Sequence, residues 1–347
     1  MWTTFSRIHN LRQGRPDAPG VQHDDAVDDE PTHRPLLRRD ALARGFTDGE
    51  LRTLCRSGGW ARLRPGSYLS PEAQELLDDR ARHRALLTAT LPGLSRDAVV
   101  SHQSAAVLHG LSLWQIPLDR IHVTRDKSSG GRRTRHLHSH SAPLSTDDVV
   151  ELGGARVTTV ARTVADLCRT VPFERAVVVG DAALANPDLA RDAIGSALDY
   201  AAGRPGHPAA LRALAFLDGR SESVGESRSR AALDALGLPS PDLQASLLDP
   251  DGLLLGRVDF LFADAGVVGE FDGKVKYGKY LRRGQDPGDA VFAEKQREDR
   301  IRDAGWEVAR WTWRDLDHPD VIGTRIRRAM NRSAGRRRPL GAVLRAN

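Results

Sequence analysis

The chain has 347 residues, too many for one ordinary core and suited to two or three domains. Apolar residues at 40% and charged residues at 28% exclude wholesale disorder. The net charge is +5, but residues 273–347 hold 19 basic against 10 acidic side chains, a local +9 that leaves −4 for residues 1–272. A basic C-terminal quarter on a mildly acidic body points to a polyanionic partner, nucleic acid first. Two cysteines, Cys55 and Cys168, exclude a disulfide framework and a multi-cysteine zinc site, which fits a reducing interior. The sequence has no window of 18 uncharged apolar residues and no signal-peptide core, so a cytoplasmic protein with no membrane partner is expected. Neither GxxxxGK[ST] nor GxGxxG after a strand occurs, so nucleotide binding has no motif behind it.

Residues 1–33 mix Gly, Pro and His with an acidic run and read as a disordered, solvated tail. Leu36–Arg44 predicts a short helix closed by Gly45. Thr47, with Glu50 three residues on, forms a capping box for a second helix that Gly58 and Gly59 end. Trp60 to Leu69 alternates around a Pro-Gly turn like a hairpin. Helix, tight turn, helix and hairpin outline a winged helix-turn-helix over 34–70. Its second helix would offer Glu50, Arg52, Thr53 and Arg56 to the major groove, with Arg62 and Arg64 of the wing on phosphates. Winged helices also serve as protein-interaction modules, and this one is not strongly basic.

Residues 71–215 read as a mixed α/β middle domain. Helices are expected over 71–90, 102–110, 163–168, 173–186, 190–202 and 208–217, and strands over 120–124 and 135–140. Alternation puts His136, His138 and His140 on one strand face; no nearby Cys or carboxylate completes a metal site, so a solvated or phosphate-facing strand is preferred. Ser101 and His102 are adjacent, and in a strand they would point to opposite faces, so Ser101 reads as a helix N-cap rather than a nucleophile. Arg162 and Asp166 stand i, i+4 on a helix and suit a structural salt bridge. Cys55 reads as packing.

After Gly- and Pro-rich punctuation, a last domain begins near Ser221. A helix over 226–236 leads to strands at 244–248, 257–262 and 267–272, then a charged helix over 289–304, a strand over 306–312 and a helix over 319–330. Residues 333–347 read as a basic tail. Asp259 lies in the apolar stretch RVDFLF, and Glu270, Asp272 and Lys274 follow. Residues two apart on a strand share a face, so Glu270, Asp272 and Lys274 project together. Acids gathered at the ends of adjacent strands repel unless a cation joins them. Mg²⁺, with Mn²⁺ as a substitute, suits such oxygen ligands and polarises phosphodiesters. The alternative is that Asp259 and Glu270 pair with arginines and hold the strands in register. Trp311 and Trp313 read as core, with Arg310 and Arg314 as phosphate contacts.

The segments GESRSRAALDALG, RVDF, GEFDGK, EKQREDRIRDAGW and EVARWTW resemble the PD-(D/E)xK nuclease superfamily, more closely its DUF559-like group related to very-short-patch repair endonucleases. The resemblance covers 221–332. It implies a restriction-endonuclease-like α/β fold with catalytic candidates Glu226, Asp259, Glu270, Asp272 and Lys274, of which Asp259, Glu270 and Asp272 would hold the metal. It also places Arg297 and Arg300 beside the site, and the local excess of positive charge puts Lys276 on its rim, all facing nucleic acid. The pattern departs from the superfamily where Asp272 replaces the lysine expected two positions after Glu270.

Upstream, RRDALARGFTDGELRTLCRSGGWARLRPGSYLS, SHQSAAVLHGL and VTTVARTVADLC resemble AbiEi-type antitoxins of type IV toxin–antitoxin systems, over 34–185. Together the resemblances imply a multidomain α+β protein that binds double-stranded DNA, pairs with a cognate toxin, and either cleaves or nicks DNA with Mg²⁺ or acts as a non-catalytic regulator. A scaffold in phage defence is a weaker alternative.

Overall fold

The computed structural model describes residues 35–273, 287–336 and 339–346; the expected tail 1–33 lies outside them. The described chain forms three sheets with helices around each, a multidomain α+β architecture.

The N-terminal unit runs β1 (Leu36–Leu37), α1 (Arg38–Ala43), α2 (Asp48–Arg56), β2 (Ala61–Arg64) and β3 (Ser67–Leu69), with strand order β1-β3-β2. Gly45, at φ +90°, makes the left-handed stop between the helices. The expected capping box is present: Glu50 N–H donates to Thr47 Oγ1 at 3.2 Å and Thr47 N–H donates to Glu50 Oε2 at 2.7 Å. Ala41, Leu51 and Tyr68 are buried, and Phe46, Cys55 and Trp60 pack around them.

The middle unit continues through α3 (Pro71–Leu76), α4 (Asp79–Thr90), β4 (Ala98–Val100), α5 (His102–Leu108), β5 (Ile121–Arg125), β6 (Arg132–Arg133), β7 (Leu137–Ser141), β8 (Val149–Leu152) and β9 (Ala155–Thr158). The single helix expected over 71–90 is two. Leu77 turns extended and Asp78 caps the second helix by accepting from Ala81 N–H at 2.7 Å. The six strands order β6-β7-β5-β4-β9-β8. Of these, β4, β6, β8 and β9 had no counterpart in the sequence reading, because two to four residues carry too little periodicity. Helices α6 (Val160–Thr170), α7 (Phe173–Leu184), α8 (Arg191–Asp199) and α9 (His207–Phe216) bury an aliphatic core around Leu167, Val177, Ile194 and Leu198.

The C-terminal unit comprises α10 (Val224–Ala235), β10 (Asp242–Leu248), β11 (Leu254–Phe262), β12 (Val267–Asp272), α11 (Pro287–Asp303), β13 (Glu307–Thr312), α12 (Trp313–Leu316), α13 (Pro319–Ala334) and β14 (Ala342–Leu344). Its sheet orders β13-β12-β11-β10-β14, antiparallel except for the parallel β12–β13 pair. The stretch expected to be a basic tail therefore contributes an edge strand, with Leu344 opposite Ser246. Phe260, Phe262, Val267 and Trp311 pack with Leu233 of α10 and with Ile322, Ile326 and Ala329 of α13. Val268 and Val308 form a second core with Ile301 of α11.

Helix α10 joins the C-terminal and middle units. Arg230 donates to Asp181 Oδ2 at 2.6 Å and to the Phe216 carbonyl, while Asp181 Oδ1 accepts from Asp218 N–H at 2.7 Å. Arg228 donates to Glu174 at 2.7 Å and lies over the Trp114 ring, 3.8 Å from its centroid. Among the described residues, no helix is long and apolar enough to cross a membrane.

Gly225 sets how closely α10 approaches the sheet, since a Cβ there would overlap the Phe271 ring. Gly225→Val is expected to cost about 1–3 kcal/mol through overpacking, read as a lower urea midpoint; an unchanged midpoint would show that the contact yields freely.

Candidate functional site

The acids singled out in the sequence lie on α10, β11 and β12. Glu226, on the first turn of α10, is buried at 6% exposure. Its carboxylate accepts from Glu222 N–H at 2.8 Å, Ser223 Oγ at 2.7 Å and Gln244 Nε2 at 2.9 Å. Ser223 in turn caps α10, its Oγ accepting from Glu226 N–H at 3.2 Å. Gln244 reaches it from β10, where its φ of +53° is left-handed for a non-glycine residue. On the next strand Asp259 Oδ2 accepts from Phe271 N–H at 2.9 Å. Glu270 and Asp272 share strand parity on β12, and so share a face.

Glu270 is enclosed by cations. Arg297 of α11 donates to its Oε1 at 2.5 Å, and Arg310 of β13 lies 2.5 Å from its Oε2. The same guanidiniums hold Glu294, at 2.8 Å and 2.6 Å, and Arg310 also meets Glu298 at 3.1 Å. Burial pushes the Glu270 carboxyl above its usual range, against the pull of Arg297 and Arg310. At Glu294 burial also opposes the charge, but the bond from Arg297 prevails and holds the carboxyl below its usual range. The Arg297 guanidinium is held more firmly protonated by Glu294 and Glu270.

These residues do not fit Mg²⁺ as they stand. Both oxygens of Glu270 and both of Glu226 are taken by protein donors. Among the described residues these acids form no group of three that could hold a metal ion. Lys274 and Lys276, expected as transition-state stabiliser and phosphate contact, lie outside the described residues. Arg297 and Arg310, expected to meet phosphate, are engaged with acids instead, whereas Arg300 is exposed on α11. Trp311 is fully buried, as expected, and its indole N–H donates to Ser229 Oγ at 2.7 Å.

On the N-terminal unit, Glu50, Arg52, Thr53 and Arg56 of α2 and Arg62 of β2 are exposed. Arg64 departs from its expected role. It donates to the Ala89 carbonyl at 3.0 Å and ties the hairpin to the end of α4.

The middle unit holds a polar cluster that linear reasoning dismissed. Ser101 makes no capping bond; its Oγ lies 2.9 Å from His102 Nδ1 and accepts from Thr124 Oγ1 at 2.8 Å. His102 is not extended, its φ being +52°, so the alternation of a strand does not separate the two side chains. His138 and His140 share a strand face, as expected, but meet His102 and His122 there, with ring centroids 3.8–5.8 Å apart. The repeated HLHSH pattern was visible in the sequence; its partners on β5 and α5 were not. Nearby, Arg162 bridges Asp166 at 3.1 Å, as expected, and also Asp148 at 2.9 Å. His83 is buried: Nδ1–H donates to the Leu118 carbonyl at 2.8 Å, and Nε2 accepts from Ser104 Oγ at 2.8 Å, because Ser104 already accepts from His122 N–H.

This chain is a member of a mycobacterially represented family. Two Mycobacterium tuberculosis proteins, uncharacterized protein MT2308 (strain CDC 1551 / Oshkosh) and uncharacterized protein Rv2248 (strain ATCC 25618 / H37Rv), are each 30% identical over 289 residues, spanning 83% of this chain and 98% of the relative. The chain belongs to their family. No family model matches it. The crystal structure of the RV2827C protein from Mycobacterium tuberculosis aligns at a TM-score of 0.36 and 15% identity, covering 64% of this chain and 86% of that one, a likeness too slight to define a shared fold.

Two outcomes follow from the buried charges. Glu270→Gln leaves Arg297 and Arg310 short of a counter-charge and is expected to cost about 1–3 kcal/mol in urea unfolding; wild-type stability would show the ion pairs to be dispensable. Burial holds the His83 imidazole below its ordinary value of 6.5. Its contribution is full above pH 6.5 and is lost as pH falls from there through the lowered pKa of the folded state. His83→Gln should therefore flatten the loss of stability between pH 7 and pH 5, and an equal slope in both proteins would contradict the assignment.

Proposed function

We propose that the chain is a double-stranded-DNA-binding regulator of antitoxin type, cytoplasmic and paired with a cognate toxin, whose C-terminal unit is a nuclease-like fold that binds without cutting. The observation that carries this reading is the closure of Glu270: a carboxylate held at 2.5 Å by each of two guanidiniums is a poor ligand for a hard dication. The N-terminal unit is read as a winged helix-turn-helix. Its two helices and three-stranded sheet leave Arg52, Thr53 and Arg56 on one exposed helix, with Arg62 exposed on the hairpin. Such side chains position a protein on phosphates and reach base edges from a major-groove helix.

A second reading, a Mg²⁺-dependent PD-(D/E)xK endonuclease, is favoured by one observation: Asp259 and Glu270 lie on the adjacent strands β11 and β12, and Glu226 of α10 is hydrogen-bonded to Gln244 of the neighbouring β10. Under this reading the arginines would transfer to substrate phosphates.

Gel-shift titrations on duplex DNA test the first reading. Arg52→Ala combined with Arg56→Ala should weaken binding on all sequences and lower the salt slope by about 2; unaltered binding would remove α2 from the interface. In parallel, supercoiled plasmid should stay intact with Mg²⁺ or Mn²⁺. Nicking by wild type that Asp259→Ala and Glu270→Ala abolish would establish the endonuclease instead.

A further inference from the structure

We propose that His102, His122 and His140 form a binding centre for a divalent transition-metal ion of the zinc class, in the middle unit and separate from the acids of the C-terminal unit. Each offers one ring nitrogen, and these nitrogens all lie within 4.8 Å of one another. Three elements supply them: His102 opens α5, His122 lies on β5 and His140 on β7. The parallel β5–β7 register sets His122 opposite His138 and Thr124 opposite His140, so the two strands bring the imidazoles together by backbone pairing alone. The left-handed φ of His102 then turns its ring onto that of His140, with centroids 3.8 Å apart.

The closest approach joins His122 Nδ1 and His140 Nε2, 2.9 Å apart. Two neutral imidazoles share one proton across such a contact, and a metal ion can replace that proton by accepting both lone pairs. The Gln103 side-chain nitrogen sits 2.7 Å from His122 Nε2 and donates to the Pro117 carbonyl at 3.3 Å; metal binding through His122 Nδ1 asks this amide to flip, so that its oxygen accepts the Nε2 proton. Ser101 Oγ lies 2.9 Å from His102 Nδ1 while accepting from Thr124 Oγ1, and its second lone pair can take the Nδ1 proton when Nε2 binds a metal. Burial lowers the His102 imidazole to about 3 and those of His122 and His140 to about 2, so the lone pairs are available at neutral pH. Coordination also asks for a ring movement: His102 and His140 lie face to face, 14° from parallel, and one ring must swing to aim at a shared point.

His102 and His140 also line a cleft of about 300 Å³ with His138, Asp166, Arg169 and Arg204. Three imidazoles leave a fourth coordination position, and this cleft is the space from which solvent reaches it. Arg169 is nearly buried there, and its Nε has no hydrogen-bond partner among the described residues.

The test uses the full chain, stripped with a chelator and titrated with Zn²⁺ and with Co²⁺. One equivalent is expected to bind, with visible Co²⁺ bands of a four- or five-coordinate site and no competition from Mg²⁺. Binding should weaken at least tenfold in His122→Ala and in His140→Ala and persist in His138→Ala. X-ray absorption at the zinc edge of the wild-type protein should count three imidazoles at about 2.0–2.1 Å, a readout that does not depend on the variants folding. Absence of a bound equivalent, an edge spectrum without three imidazoles, or equal affinity in the His122 and His140 variants would overturn the proposal.

Discussion

A carboxylate buried in the middle of a sheet requires cations, and Glu270 takes them from Arg297 on α11 and Arg310 on β13. That requirement organises much of the C-terminal unit. It draws α11 onto the sheet face where Ile301 packs against Val268 and Val308, and it recruits Glu294 and Glu298 to balance the arginines. Removing a charge from such a network uncovers the others. The same network decides the chemistry, because a carboxylate committed to two guanidiniums is a poor ligand for a hard dication.

The join between units follows the same rule. Asp181 is fully buried and is met by Arg230 from α10 and by the Asp218 backbone N–H. The C-terminal sheet is thereby attached to the helical core of the middle unit by α10, the helix that also carries Glu226 and packs Gly225 against Phe271. The segment GESRSR therefore works in two directions: Glu226 toward Gln244 of β10, Arg228 and Arg230 toward the neighbouring unit.

Local signals in the sequence were legible where the physics is local. The Thr47–Glu50 capping box, the Pro-Gly hairpin turn and the boundaries of β12 depend on residues within a few positions of one another. The break between α3 and α4 was missed, because Asp78 is an ordinary polar residue until its side chain is seen to cap Ala81. Arg64 read as a phosphate contact because a basic residue on a wing is usually exposed; its guanidinium instead satisfies the last turns of α4. Residues 342–344 read as tail because three residues have no pattern, and only the free edge of β10 makes them a strand.

By itself the sequence determined the succession of helices and strands from α10 to β13, the strand parity that sets Glu270 and Asp272 on one face, and the pairing of Arg162 with Asp166, each a consequence of backbone periodicity. Tertiary structure alone decided what those groups meet. Arg297 and Arg310 lie 27 and 40 positions beyond Glu270 in the chain, yet both reach its carboxylate, since α11 folds back over the strand and β13 pairs with it in parallel. His102, His122 and His140 likewise come from three elements, and their convergence rests on the β5–β7 register and on one left-handed residue. Side-chain chemistry is written locally, but its partners are set by strand pairing and burial across the whole fold.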